Sequence, residues 1–463
     1  MPPHHIAPPT SHAGAPPTGE PPTGELPRVR TADEARAAAK LLLPALAEGL
    51  IQRRRWAMAT AERYQTDRRA IDMLRDLRAR YGAGPLWLPA RGRSLVLLLD
   101  SDDLARVLAE TPDPFSPSTW EKRRALGRFQ PHGSLISRGA PREARRHLNE
   151  LALDTPHPLH RVAPAVAGRV CEEAANVAER SATAGGLDWD AFAAGWWRSV
   201  RRIVLGDAAR DDDDLTDRLA GLRAAGSWSL PHPRLRLARA EYLVRLQRYA
   251  FQAGADTLAG QLHMGDTDVE TDPVGQVPHW LFAFDAAGIV TLRALALLAG
   301  HPEAAARARA ELTGADLAGP EPLPFLRACV LESVRLWPTT PVLLREGTEP
   351  TRWRDATVPA GTAFAAFTPY FHRAEPSGPH GDGFAPDIWL DGRAERNPAL
   401  VPFSAGPAAC PGENVVLLTA STWLGVLLSG RTFTLDSRMR PHPREPVPAT
   451  LNHFGLRFSV SRG

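Results

Sequence analysis

One of the chain's three cysteines, Cys410, sits where a thiol can act as a metal ligand. The segment Phe403-Ser404-Ala405-Gly406-Pro407-Ala408-Ala409-Cys410-Pro411-Gly412 is a Gly- and Pro-rich loop that delivers Cys410 to the start of an apolar helical run. A helix N-terminus carries partial positive charge and free N–H groups. Both favour the thiolate, which is the form that binds metal. Gly406 and Gly412 let the backbone approach a flat cofactor closely, and Phe403 is placed to cover the sulfur. The plain alternative is a structural cysteine at a helix start. Cys171 and Cys329 lie in apolar helical stretches and read as core thiols.

Other charged residues stand in places that call for a role. Glu332 and Arg335 are three apart on one helix face, before Pro338 ends the helix. Arg345 follows the apolar stretch Pro341–Leu344, and its guanidinium suits a carboxylate. Arg142, Arg145 and Arg146 open a helix that runs through Asn149. Asp285 interrupts the apolar run Trp280–Thr291, where an acid without a role is costly.

The elements that must position these groups are mostly helical. Helical spacing is expected over 32–49, 57–80, 159–179, 189–204, 235–263, 278–299, 302–312, 322–336 and 411–428, with a short helix over 101–110 capped by Ser101. Strands are expected at 86–88 and 95–99, within 342–370 and within 431–460. Residues 111–135 read as a long irregular connection and 371–412 as mostly loop. Residues 1–27, rich in Pro, Thr and Gly, read as a disordered tail, and 28–463 as one mainly α domain with a minor β component.

Composition narrows the function. With 55 basic and 52 acidic residues among 463, nothing calls for nucleic acid as a partner. The basic residues are nearly all Arg; the only lysines are Lys40 and Lys122. An odd, small number of cysteines argues for a reducing compartment, hence a cytoplasmic location. No signal peptide is evident, and no uninterrupted apolar run is long enough for a membrane span. The histidines show no metal spacing such as His-Glu-x-x-His, and neither a phosphate-binding Gly loop nor a dinucleotide fingerprint is present, so no fused reductase is expected.

The loop around Cys410 resembles the haem-binding signature of the cytochrome P450 superfamily: Phe, two residues, Gly, three residues, Cys, one residue, Gly, met here by Phe403, Gly406, Cys410 and Gly412. The resemblance spans about residues 30–460, with its specific motifs in 280–412. It implies the mainly helical P450 fold, haem b with Cys410 as axial ligand, and a monooxygenase acting on a small organic molecule. It also implies electrons from a separate ferredoxin and its reductase, and a monomer. Glu332 and Arg335 match the family's structural Glu-x-x-Arg pair. Arg345, Arg145 and Arg142 match positions that hold haem propionates.

Three positions depart from the pattern. Ala408 replaces a basic residue that reaches a propionate, so another cation is expected there. Ile388 replaces an Arg that completes the Glu332–Arg335 network, with Arg393 and Arg396 as candidate substitutes. On the helix crossing the cofactor, two registers compete for the family's acid and threonine. One places Thr291 at the threonine but Val290 at the acid. The other, preferred by counting back from the Gly300-His301-Pro302 helix end, places Asp285 at the acid and Ala286 at the threonine. The missing hydroxyl leaves proton delivery to Asp285, an ordered water or a substrate hydroxyl. It also motivates other haem-thiolate chemistries, namely peroxygenation, oxidative coupling or rearrangement. A non-catalytic haem-fold recruitment or sensing module is a third reading. Substrate contacts are expected from residues 111–135 and 205–250.

Overall fold

The computed structural model describes residues 25–49, 51–90, 93–227, 235–264, 271–374 and 380–462. Most of the expected tail therefore lies outside the described residues. Its last residues, 25–27, are described: Leu26 is buried and the Pro27 carbonyl accepts the Trp87 N–H at 2.8 Å.

The N-terminal part runs α1 (Thr31–Ala37), a π-helical turn, α2 (Leu43–Glu48), α3 (Arg55–Tyr64) and α4 (Thr66–Tyr81). The helix expected over 57–80 is split because Gln65 adopts left-handed φ of 47° and anchors to Thr450 through its side chain. Next come β1 (Leu86–Ala90), β2 (Arg93–Leu97), α5 (Ser101–Ala109), β3 (Phe115–Ser116) and α6 (Trp120–Leu126). Ser101 is not the cap of α5. Asp100 is, its carboxylate accepting the Asp102 N–H at 2.9 Å, as an Asp one residue ahead of the first turn can. The expected irregular stretch 111–135 is more ordered than its Pro and Gly content implied. Thr119 caps α6, and Phe115 packs fully buried between Trp353 and Phe364.

The central helices follow: α7 (Gly139–Ala152), α8 (Ala163–Ala184), β4 (Gly186–Asp188), α9 (Trp189–Leu205), α10 (Asp213–Ser227), α11 (Arg236–Gln252), α12 (Val277–Gly300), α13 (Pro302–Glu311) and α14 (Pro324–Leu336). The chain closes with β5 (Val342–Gly347), β6 (Thr351–Trp353), β7 (Ala356–Val358), β8 (Ala363–Phe367), α15 (Thr368–Arg373), α16 (Glu413–Leu428), β9 (Arg431–Leu435) and β10 (Arg457–Arg462).

Two apolar cores carry the fold. The larger joins α8, α9, α12, α14 and α16 around Phe192, Trp196 and Trp423. The smaller lies beneath a five-stranded sheet of order β1-β2-β8-β5-β3. Helix α12, with the segment just before it, has the length and mean hydropathy to cross a membrane, yet most of it is buried inside the protein, as a core helix is. Most of α12 and nearly all of α16 are buried because both are predominantly apolar.

Candidate functional site

Cys410 ends a loop bound to its surroundings through the backbone. Its N–H donates to Phe403 O at 2.9 Å, closing the loop on itself. Gly406 has φ of 67° and lies directly against the Leu108 carbonyl, where a Cβ does not fit. Ser404 is also left-handed, at 64°. Arg146 of α7 donates to Ala409 O at 2.7 Å, and Thr155 donates to Pro411 O at 2.8 Å. The loop is thus pinned from both sides just ahead of α16.

The Gly412 N–H bonds to the sulfur and lowers the thiol pKa, but burial and the neighbouring Glu413 outweigh it and push Cys410 up to about 11. Burial also raises Glu413 to about 7. Only a cation bonded to the sulfur makes the thiolate the stable form at neutral pH.

A meander held by Glu332 and Arg335 carries this loop. The pair is internal, at 0% and 1% side-chain exposure. Glu332 accepts Arg335 Nε at 2.6 Å and Nη2 at 2.8 Å, and Arg335 also donates to the carbonyls of His372, Gly381 and Gly383. The third partner expected from Arg393 or Arg396 is neither. The Trp389 indole donates to Glu332 at 2.9 Å and the Ala385 N–H at 2.7 Å, while Arg393 pairs with Asp391. A 3-10 turn at Pro386–Trp389 buries Ile388 and swings the next residue inward.

Sequence reasoning missed His372. Its Nδ1 bonds to Arg335 O at 3.1 Å, and its Nε2 accepts the Val401 N–H at 3.1 Å, linking α14 to the segment entering the cysteine loop. This geometry needs the neutral ring, and burial with the nearby Arg335 lowers its pKa to about 3. The signal was a lone histidine in the aromatic stretch of α15 after β8, which spacing alone does not distinguish from a core residue.

Phe282, Ala283, Asp285 and Ala286 on α12 and Pro341–Leu344 leading into and along β5 keep accessible surface, as does the whole cysteine loop with Phe403, Ser404 and Cys410. Asp285 and Ala286 stand together on the accessible turn of α12. Asp285 pairs with Arg223 of α10 at 2.5 Å, and Arg223 also stacks on Phe282 and donates to Ile51 O. Thr291 is not brought to them. It is fully buried, and its hydroxyl donates to Ala287 O at 2.7 Å. Gly288 faces Trp196 of α9, whose indole lies 2.9 Å from where a Cβ would stand.

Several cations gather near β5. Arg345 is 3% exposed and makes only neutral contacts, to Thr111 Oγ1 at 3.2 Å, Leu344 O at 3.1 Å and Ser404 Oγ at 3.3 Å. Arg142 is 7% exposed and forms no ion pair among the described residues. Burial, with Arg142 beside it, lowers Arg345 to about 10, and burial with Arg146 nearby lowers Arg142. Lys122 donates to Pro117 O at 3.1 Å and Leu344 O at 3.0 Å, and burial with Arg345 holds it well below the usual lysine range. Arg145 lies half-buried one turn from Arg142 and donates to Ser137 Oγ at 2.7 Å.

This architecture is the cytochrome P450 fold. The retinoic acid-bound cyanobacterial CYP120A1 structure superposes with a TM-score of 0.69 at 19% identity, covering 84% of this chain and 94% of that one. CYP102L1 gives 0.68 at 16%, covering 85% and 94%. The family model for cytochrome P450 matches residues 285–454. Relatives include cytochrome P450 734A5 of Oryza sativa subsp. japonica, 27% identical over 78% of this chain and 76% of its own length. The probable cytochrome P450 4s3 of Drosophila melanogaster is 29% identical over 44% and 40%. The cyclooctat-9-en-7-ol 5-monooxygenase of Streptomyces melanosporofaciens is 32% identical over 32% of each. The matched segment thus spans under half the length of the fly and Streptomyces relatives and about three-quarters of the rice protein. The chain is thus similar to the cytochrome P450 superfamily in the segment 285–454 and in its fold.

The family implies a haem-iron cofactor, and the residues present fit one. A sulfur at a helix N-terminus suits iron. The buried guanidiniums of Arg345 and Arg142 form no ion pair among the described residues, and haem carries two carboxylates. No cluster of three or more His, Cys, Asp or Glu among the described residues offers a different metal centre.

Proposed function

We propose that the chain is a haem-thiolate monooxygenase that inserts one oxygen atom into a small organic molecule, using electrons from a separate donor of ferredoxin type. The observation carrying this reading is Cys410 just ahead of α16 in a loop whose Ser404 is bonded by Arg345, a buried guanidinium with neutral hydrogen-bond partners. Haem b, when bound, supplies oxygen activation, and the thiolate's electron donation favours O–O cleavage.

The chain's own residues do the rest. Cys410 would hold the haem iron through its sulfur, with the Gly412 N–H tempering the thiolate charge and Phe403, Gly406 and Gly412 shaping the loop. Arg345, Arg142 and Arg145 would hold the carboxylates, Arg142 taking the part left open by Ala408. Asp285, held by Arg223, is the proton-handling group, while Ala286 leaves room beside it for a water or a substrate hydroxyl. Thr291 has no direct part, its hydroxyl being used within α12. The protein acts as a cytoplasmic monomer.

The accessible turn of α12 reads Phe282-Ala283-Phe284-Asp285-Ala286 and bears no hydroxyl. That favours, as a second reading, a peroxide-driven or coupling reaction on the same cofactor. Turnover with a ferredoxin, its reductase and NAD(P)H decides between them: the main reading expects reductant-dependent product, and product from peroxide alone overturns it.

A further inference from the structure

Lys122 of α6 reaches across to the sheet. Its Nζ donates to Pro117 O at 3.1 Å and to Leu344 O of β5 at 3.0 Å. An ammonium has three N–H donors. The third meets no acceptor among the described residues, and Lys122 forms no ion pair among them. Its charge and that of Arg345 on β5 oppose each other, and it also acts on His279 of α12. The carboxylate that favours it is that of its chain neighbour, Glu121. Lys122 therefore lies between β5 and the first turn of α12.

From that turn α12 presents a stripe. His279, Phe282 and Asp285 follow at a spacing of three, with Ala286 beside the last, and each keeps accessible surface on a helix most of whose residues are buried. The His279 ring meets Phe282 at 5.7 Å and bonds the Gln130 side-chain amide through Nδ1. Leu344, the lysine's partner, keeps accessible surface too. Lys122 and His279 are half-buried, yet burial is the main cause that holds Lys122 well below the usual lysine range and lowers His279 to about 4. Surface kept so deep in the protein borders an inner space. Arg345, beside Lys122, bonds Ser404 of the cysteine loop, so this space is the one between α12, β5 and that loop. His279 and Asp285 are six residues apart, about 9 Å along the helix.

A desolvated ammonium with an open donor calls for an acceptor, and a carboxylate supplies one of opposite charge. The two haem carboxylates are provided for by Arg345, Arg142 and Arg145, which leaves Lys122 for another anion. A lysine is a compact point charge and suits a single negative charge. The surface leading away from it, Phe282, Ala283 and Leu344, is apolar.

We propose that Lys122 anchors the carboxylate of the substrate, so that the enzyme takes apolar acids whose far end reaches the turn of Asp285 and Ala286. The proposal rests on the monooxygenase reading for calling the ligand a substrate. The test compares decanoate with 1-decanol, and 4-phenylbutanoate with 4-phenyl-1-butanol, on the holoprotein and on its K122M and K122R variants. Calorimetry gives the affinities, and a shift of the haem absorption band shows that the ligand sits beside the iron.

The acids are expected to bind about tenfold more tightly than their alcohols, the scale of one charged hydrogen bond. K122M should abolish that advantage and leave alcohol affinity within about twofold, whereas K122R should keep most of it. Equal affinity for acids and alcohols in the wild type, no binding of either acid, or an acid advantage undiminished in K122M overturns the proposal. The wild-type comparison stands even if a variant fails to fold. Faster haem loss from K122M with its acid advantage intact also overturns it, and gives Lys122 to a haem carboxylate. Acids that bind through Lys122 without any turnover refute the proposed function and leave the anchor standing; reductant-driven turnover of neutral molecules alone, with acids unbound, does the reverse.

Discussion

Replacing Glu332 by Gln tests the scaffold under the cysteine loop. In the native chain, Oε1 accepts Arg335 Nε at 2.6 Å and the Trp389 indole at 2.9 Å, while Oε2 accepts Arg335 Nη2 at 2.8 Å and the Ala385 N–H at 2.7 Å. Glutamine keeps one acceptor, turns the other into a donor aimed at donors, and leaves Arg335 charged at 1% exposure. Removing one partner of a buried pair typically costs about 3–5 kcal/mol, because the other charge stays buried and uncompensated.

At a urea slope of about 3 kcal/mol per molar for a chain of this size, the unfolding midpoint should fall by about 1 M or more. Trp389 and the 385–389 turn lose their anchor in the same step, so bound haem should dissociate at lower denaturant than the helices unfold. The double variant E332L/R335M should recover part of the loss. It should not recover all, because three carbonyls that Arg335 now satisfies would be left bare. Urea titrations followed by tryptophan fluorescence and by haem absorbance give both numbers. A cost below about 1 kcal/mol, or a double variant worse than the single, refutes the assignment of this pair as a buried, fully satisfied clamp.

Three further outcomes follow from the site. His372 must stay neutral to accept the Val401 N–H, and its folded pKa is lowered from 6.5 to about 3. Stability is therefore fully present above about pH 6.5 and drains as pH falls toward 3, by up to about 5 kcal/mol; His372→Gln, which can donate and accept without titrating, should flatten that slope in pH-dependent urea titrations. Arg345→Leu should raise the stability of the haem-free chain, since it removes a buried cation whose hydrogen-bond partners are all neutral, yet speed haem loss to apomyoglobin; a variant that keeps haem as long as the wild type contradicts the carboxylate role. Thr291→Ala removes a hydroxyl that bonds only Ala287 O, so it should cost about 1 kcal/mol in unfolding and leave turnover within about twofold; a collapse of product coupling would restore Thr291 to the site.

Much of this arrangement was legible in the residues. The Cys410 loop, the Glu332–Arg335 pair and the predominantly apolar helices α12 and α16 announce themselves by local pattern, because thiol placement and hydrophobic periodicity are properties of adjacent residues. What stayed hidden is set by distant contacts. Trp389 standing in for an arginine depends on a 3-10 turn at Pro386. The interruption of α3 and α4 depends on Gln65 meeting Thr450, hundreds of residues on. The order in 111–135 comes from Phe115 and Thr119, each satisfied by partners far along the chain or by a cap. The pairing of Asp285 with Arg223 joins two helices whose register spacing cannot disclose. Lys122, one of two lysines among so many arginines, looked like chance until its ammonium was seen to be buried.

The central claim is that the Cys410 sulfur binds iron as a thiolate. The most direct measurement is the carbon monoxide difference spectrum of the reduced protein, taken for the wild type and for Cys410→His, a ligand of different charge. The account predicts the strongly red-shifted Soret band of thiolate ligation in the wild type and its replacement by a histidine-type band in the variant. An unchanged red-shifted band with histidine at position 410 would contradict it.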